Sequence, residues 1–257
     1  MLLTGATLFH FVDLPTYSWN VRRIFGSPLG FTLGNNWLLS LLLIGLVSSG
    51  TYSLMQTHPK NCSPERALLF SLITPTLSAL FASLLLLNAP SWPTWLGSLL
   101  LTGLLIGGII QLTYQVFALN TPHYASLRTL LNIADYLLAS LLFGILLNAQ
   151  ERALVTGPAV IILSGLLSLD LLSASGVTAR KVFLWGGVIS LLEGELVWIL
   201  SYWSISPWTA AMLLTLGLYV GTGISYQHLL GKLQHRMIWE FILIATAMFG
   251  LLLIIQP

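Results

Sequence analysis

The sequence predicts an all-α integral membrane protein, with about eight transmembrane helices in one bundle after a short extracytoplasmic segment. Two observations predict this fold class. The 257 residues are 56% hydrophobic and 7% charged, whereas a soluble domain is about 45–50% apolar and ~25% charged. Apolar stretches of about 20 residues, the length that crosses ~30 Å of hydrocarbon, recur between turn-forming residues. Lipid is therefore the solvent for most of this chain.

Residues 1–36 form the predicted extracytoplasmic N-terminal segment. Met1–Val12 lacks a basic region and a small-residue cleavage site, so we interpret it as mature sequence and not as a signal peptide. Tyr17–Phe25 and Leu29–Leu33 are two short extended runs around the turn Gly26-Ser27-Pro28. They predict either a small hairpin on the outer membrane face or an irregular interfacial segment.

Residues 37–257 form the predicted transmembrane domain. Turn-forming sequences such as His58-Pro59, Asn88-Ala89-Pro90 and Ser206-Pro207 separate its spans. The eight predicted spans are Trp37–Gln56, Ala67–Leu87, Trp92–Leu119, Leu127–Leu147, Ala153–Ser173, Val182–Tyr202, Trp208–Gln227 and Met237–Ile255.

The charge of the loops predicts the orientation of these spans. Seven of the ten Lys and Arg residues lie in the loops that join spans 1 and 2, 3 and 4, 5 and 6, and 7 and 8. Cytoplasmic loops carry such an excess, so we expect both termini outside a bacterial cytoplasmic membrane. The seven residues are Lys60, Arg66, Arg128, Arg180, Lys181, Lys232 and Arg236.

Five of the eight acidic residues lie within the apolar spans. A charged side chain at the centre of the hydrocarbon costs roughly 3 kcal/mol or more, so such residues mark ion paths or contacts with a partner. Together with neighbouring polar and aromatic residues they form the candidate ion, solute or partner site. Its members are Asp135, Asp170, Glu193, Glu195, Glu240, Arg128, Asn132, Trp198 and Tyr202.

A polar stripe opens span 4. Arg128, Asn132 and Asp135 follow one another at helical spacing and share one face. With Asp170 near the inner end of span 5, they are expected to line a cytoplasmic-side vestibule. Structural hydrogen bonding between helices is the alternative. Glu240 lies one turn after a basic residue in span 8, a spacing that favours an interfacial ion pair.

Glu193 and Glu195 lie near the middle of span 6. Two residues rotate a helix by about 200°, so these side chains point in nearly opposite directions and cannot share one metal ion unless the helix breaks at Gly194. We expect Glu195 to be the functional acid, because it shares a face with Trp198 and Tyr202. Glu193 is expected to face another helix. The alternative is that both acids are only buried and protonated.

Small residues at four-residue spacing predict close helix packing. They favour a compact bundle or a face that docks a partner subunit. They are Gly103 and Gly107 in span 3, Gly186, Ser190 and Gly194 in span 6, and Gly217 and Gly221 in span 7.

The chain carries no recognised motif for catalysis, metal or nucleotide binding. Its five histidines lie in loops or at helix ends, which disfavours a b-type haem held between spans. His-Glu-x-x-His, the Walker loop and Gly-x-Ser-x-Gly are absent. The single Cys62 excludes an intrachain disulfide, and a net charge of +2 gives no reason to expect nucleic acid. A bound lipid, or a pigment ligated by Glu or Asn, is compatible with the sequence.

Several short patterns are similar to an uncharacterised family of bacterial multi-pass membrane proteins of the Chloroflexota type. They include Gly26-Ser27-Pro28-Leu29, Arg128-x-x-x-Asn132, Glu195-x-x-Trp198, Tyr219-Val220 and Glu240. The resemblance implies a multi-pass membrane protein with no established activity.

The absent motifs, short loops and packing glycines favour a non-catalytic membrane subunit, scaffold or accessory component whose partners are membrane lipids and other subunits. A proton- or cation-coupled secondary carrier is the alternative, because the acids within the membrane outnumber the basic residues there. A lipid- or isoprenoid-modifying enzyme is the least expected of the three.

Overall fold

The computed structural model describes residues 17–24, 27–33, 35–57, 69–117, 124–149, 153–203, 205–232 and 235–255. Met1–Val12, Gly26, Cys62, Lys60 and Arg66 lie outside them. The described elements are β1 (Tyr17–Ile24), β2 (Ser27–Leu33), α1 (Asn35–Gln56), α2 (Ile73–Leu87), α3 (Trp92–Phe117), α4 (Tyr124–Asn148), α5 (Ala153–Ser173), α6 (Ala179–Ser201), α7 (Pro207–Leu229) and α8 (His235–Ile255).

The helices correspond one by one to the predicted spans. Six helical segments of the described chain are long and apolar enough to cross a membrane, which confirms the α-helical membrane class. In α8 the apolar part is shorter, Trp239–Gly250, and the count of eight spans stays a prediction. The six segments are Leu69–Leu87, Trp92–Val116, Tyr124–Asn148, Val155–Ser173, Ala179–Ser201 and Pro207–Leu229.

The two strands pair as an antiparallel hairpin, in which Tyr17 lies opposite Leu33 and Val21 opposite Leu29. The register becomes irregular between Val21 and Ile24. Of the two structures that the sequence allowed for this segment, the pairing corresponds to the hairpin.

Local chemistry sets the helix ends. Ser206 caps α7, since its hydroxyl accepts a hydrogen bond from the Thr209 backbone N–H at 3.1 Å, and Pro207 occupies the first turn, where its missing N–H costs nothing. After α5 the chain turns through Gly176, and after α7 through Gly231. Both glycines have positive φ, 68° and 66°, which only glycine adopts freely.

The second predicted span is not continuous. Residues 69–71 are helical, Leu72 forms a turn, and α2 begins at Ile73. Pro75 is the physical reason, because proline has no N–H for the preceding turn and its ring clashes with that turn. The interruption lies two residues before Thr74, a residue of the candidate site described below.

The chain divides into two compact units. Unit 1 comprises Met1–Asn61 and Pro75–Ala118. Side chains of α1, α2 and α3 form its core, and the Ser48 and Thr76 hydroxyls hydrogen-bond at 3.1 Å between α1 and α2. The two apolar clusters of this core are Leu43, Leu86, Trp95 and Leu99, and Val47, Ala79, Ala82 and Ile106.

Unit 2 comprises Cys62–Thr74 and Leu119–Pro257. Its most extensive helix contact joins α5 and α6, followed by that of α4 with α7. Small residues allow the close contact of α5 with α6. A Cβ on Gly194 would lie 2.5 Å from Ile161, and a Cβ on Gly186 would lie 3.1 Å from the Ser168 hydroxyl. The glycine and serine spacing of span 6 therefore does mediate close packing, whereas Gly107 of α3 has no such neighbour within 4 Å.

Candidate functional site

Two buried aspartates of unit 2 meet at one threonine hydroxyl. Thr74 Oγ1 lies 2.7 Å from Asp135 Oδ1 and 3.1 Å from Asp170 Oδ2. All three residues are buried, with at most 2% of their surface exposed. Because one hydroxyl has one hydrogen, Thr74 donates to only one carboxylate at a time. The second Asp135 oxygen, Oδ2, is buried and has no hydrogen-bond partner.

Arg128 closes the cluster on one side. Its Nη2 donates to the Asp170 backbone carbonyl at 2.8 Å and lies 3.7 Å from Asp170 Oδ2. Its side chain is 13% exposed, whereas Thr74, Asp135 and Asp170 are buried. Arg128 Nε and Asn132 Oδ1 are buried without a hydrogen-bond partner. We call Thr74, Arg128, Asn132, Asp135 and Asp170 the acidic cluster.

The position of the acidic cluster follows from the ends of three helical segments. Thr74 is the second residue of α2, Arg128 lies one turn into α4, and Asp170 lies in the last turn of α5. These ends border the loops that the charge pattern assigns to the cytoplasm. The structure thus brings Arg128, Asp135 and Asp170 together around Thr74 and places Asn132 on the same face of α4, while the role of these residues stays a prediction.

Thr74 was not predicted as a site residue. A threonine in an apolar span is ordinary, and it usually donates to its own helix. The only local signal is its position before Pro75, where a helix is prone to break. A second polar contact was also missed: the Tyr136 and Thr222 hydroxyls lie 2.9 Å apart between α4 and α7.

The two glutamates of α6 face in different directions, as their rotation of about 200° predicts. Glu193 is buried with 2% exposed, and its Oε2 has no hydrogen-bond partner. A Cβ on Gly217 of α7 would lie 2.7 Å from Glu193 Oε1, so this glycine leaves the room that the carboxyl occupies. Glu195 is exposed.

The aromatic neighbours of Glu195 are exposed as well, Trp198 at 45% and Tyr202 at 86%. Both line a cavity of about 540 Å³ where α6 ends, but Glu195 does not line it. Glu240 is exposed on α8, in contrast to the two buried aspartates. This cavity therefore does not support the prediction that Glu195 is the functional acid.

The acidic cluster contains only two carboxyl groups, one fewer than the three ligating side chains of a usual metal site. Among the described residues no three His, Cys, Asp or Glu side chains come together as metal ligands. Two carboxyls, one guanidinium and one hydroxyl can instead bind a proton, or present oxygens to a small monovalent cation.

Comparison with known proteins gives one result. Residues 16–255 match the model of a family described as protein of unknown function, DUF5656. No curated protein and no solved structure matches the chain. The match covers most of the sequence, and the sequence resemblance to an uncharacterised family is in this respect confirmed. The chain belongs to the DUF5656 family.

Proposed function

We propose that this protein is a proton- or cation-coupled membrane carrier, and that the acidic cluster is its ion-binding site. The observation that carries the proposal is the meeting of Asp135 and Asp170 at the Thr74 hydroxyl. The absent motifs, short loops and packing glycines of the sequence favour an accessory subunit, but the geometry of the buried acids favours ion binding.

The charges of the cluster support this function. With both aspartates ionised, the two negative charges exceed the single positive charge of Arg128, and the cluster carries a net charge of −1. An uncompensated charge in a dry interior costs several kcal/mol. A proton shared by the carboxyls, or a small cation beside Asp135 Oδ2, removes this cost. Release of that ion then requires a change in the surroundings, which is the basis of coupling.

The interrupted helix supports the same function. Carriers commonly build ion sites where a membrane helix is broken, because the freed backbone groups can face the ion. Here the break at Leu72 lies two residues before Thr74, the residue that contacts both carboxyls. Arg128, which lies one turn into α4 beside the predicted cytoplasmic loop, is partly exposed.

The test is ion flux into vesicles reconstituted with the full chain. A proton, Na⁺ or K⁺ gradient is imposed, and flux is followed with an internal pH dye or ion indicator. We expect the wild type to carry one of these ions. Asp135→Asn should abolish the flux, because the amide keeps the shape but removes the ionisable group, and Thr74→Val should reduce it.

The matched control is Glu195→Gln, which removes an acid from the same unit outside the cluster and should retain the wild-type flux. A wild-type protein that moves none of the three ions contradicts the proposal. Equal flux in Asp135→Asn and wild type would contradict the assignment of the site.

A second candidate function is that of an accessory subunit in a membrane complex. It is favoured by Glu195, an acid on a helix face whose other members, among them Leu191 and Ile199, are apolar and exposed at 60% each. An acid on such a face is expected to be covered by a partner's polar group. Extraction from the native membrane followed by native mass spectrometry tests this function, and recovery of the chain without stoichiometric partners would contradict it.

A further inference from the structure

We propose that Glu193 is a second proton-binding group, reached from a cavity at the end of unit 2 opposite the acidic cluster. Any part it plays in transport rests on the proposed function above, but the site itself does not. Three observations carry the proposal: the cavity, the position of Glu193 beneath it, and the absence of an ion pair to Glu193 among the described residues.

The cavity of about 540 Å³ lies where α4 and α6 end and α5 and α7 begin. These four ends border the loops that the charge pattern places outside the cell. Hydroxyl and aromatic side chains give the cavity a surface that water can wet, and none of the described residues that line it is charged. Thr156, Val197, Trp198, Ser201 and Ala210 are among the lining residues.

Glu193 lies directly inward of this cavity. Ser201, Val197 and Glu193 follow at intervals of four residues and therefore share one face of α6. On α7, Ala210 lines the cavity, and Gly217, which borders the Glu193 carboxyl, lies two turns further in. One helical turn, or about 6 Å along the axis, separates Glu193 from Val197 of the cavity wall.

An apolar barrier separates the cavity from the carboxyl. Val197 is 1% exposed, and Leu214, one turn before Gly217 on α7, is fully buried. Water therefore reaches the cavity but not Glu193 while the α6 and α7 side chains keep this packing. Displacement of the Val197 and Leu214 side chains would connect the cavity with Glu193.

Within the part of the chain that the structure describes, Glu193 forms no ion pair. The α7 position beside its carboxyl is Gly217, and the α5 side chain beside the neighbouring Gly194 is Ile161. The nearest acid in sequence, Glu195, lies on the opposite, exposed face of the helix. An ionised Glu193 would remain unpaired in a dry interior, so it holds a proton when the barrier is closed and loses it only when water enters.

Cysteine accessibility tests the route. In a Cys62→Ser background, which removes the only native thiol, Ser201→Cys, Val197→Cys and Ile189→Cys place thiols along one face of α6. Ile189, one turn beyond Glu193, is 3% exposed and packs against Gly221. A membrane-impermeant thiol reagent added outside should label Ser201→Cys, label Val197→Cys more slowly, and leave Ile189→Cys unlabelled. Loss of labelling at both Ser201→Cys and Val197→Cys overturns the route.

Infrared spectroscopy of the purified protein tests the proton. Glu193→Gln should remove one carbonyl band of a protonated carboxylic acid. Gly217→Ala should shift that band, since its new Cβ displaces the carboxyl, whereas Gly187→Ala, with open space around it, should not. A spectrum unchanged in Glu193→Gln overturns the site. The infrared bands of Asp135 variants are measured in separate samples. A missing Glu193 band therefore contradicts this inference without contradicting the proposed role of the acidic cluster.

Discussion

The two aspartates of the acidic cluster are not equivalent, although both contact Thr74. Asp170 has Arg128 beside it at 3.7 Å, whereas Asp135 Oδ2 has no hydrogen-bond partner. Asp170 and Arg128 therefore form an ion pair, whereas Asp135 holds the carboxylate oxygen of the cluster that has no partner.

Arg128→Gln tests this division of roles. Removing the guanidinium leaves a buried carboxylate unpaired, which costs roughly 3–5 kcal/mol. We expect the free energy of unfolding in detergent to fall by about this amount, and the double variant Arg128→Gln/Asp170→Asn to recover part of the loss. Arg180→Gln, at an exposed position of α6, is the control. Additive losses in the double variant would show that the two groups do not interact.

The sequence predicts part of the acidic cluster for a clear physical reason. Arg128, Asn132 and Asp135 share a helix face through their spacing alone, and a buried acid is rare enough to be noticed. Thr74 contacts residues 61 and 96 positions away, and such contacts depend on tertiary packing that no local pattern encodes. Glu193 was placed on the correct side of its helix, but the room left by Gly217 was visible only in the structure.

At the scale of elements, the contact of α5 with α6 depends on residues without large side chains. Gly194 lies so close to Ile161 that any residue with a Cβ at this position must displace the Ile161 side chain. Gly194→Val should lower the free energy of unfolding by about 1–3 kcal/mol, the usual cost of overpacking. Gly187→Val on the same helix, with nothing within 4 Å, should change it far less. The difference can be measured by thermal or denaturant unfolding, and equal losses would mean that the contact is not tight.

The sequence predicts where the helices lie better than it predicts whether a helix is interrupted. Hydrophobic length and turn residues predict α4 to α7 to within a few residues, because hydrocarbon thickness fixes the length of a span. The break at Leu72 was not predicted, although Pro75 was noted as an internal proline. Proline in a membrane helix gives a kink, a break or neither, depending on which neighbours satisfy the freed backbone groups.

At the scale of the whole molecule, the basic loops predict that both termini lie outside the cytoplasm. A reporter fused after Pro257 tests this orientation. A fusion to alkaline phosphatase should be active, because this enzyme folds only outside the cytoplasm. A fusion to green fluorescent protein should be dark, because this protein does not become fluorescent when the general secretory route exports it unfolded. Fluorescent fusions without phosphatase activity would show that the orientation is the reverse of the predicted one. The Glu193 cavity would then open on the cytoplasmic side.

The tight fit of α6 has a consequence for how this helix can change among relatives. One inserted or deleted residue turns everything beyond it by about 100°, so a single such event before Glu193 would carry both glutamates out of their surroundings and move Gly194 off Ile161. Substitutions on the outward face disturb none of this. We expect the length of the segment from Gly186 to Glu195 to be invariant across the family, while the identities of its outward residues drift freely.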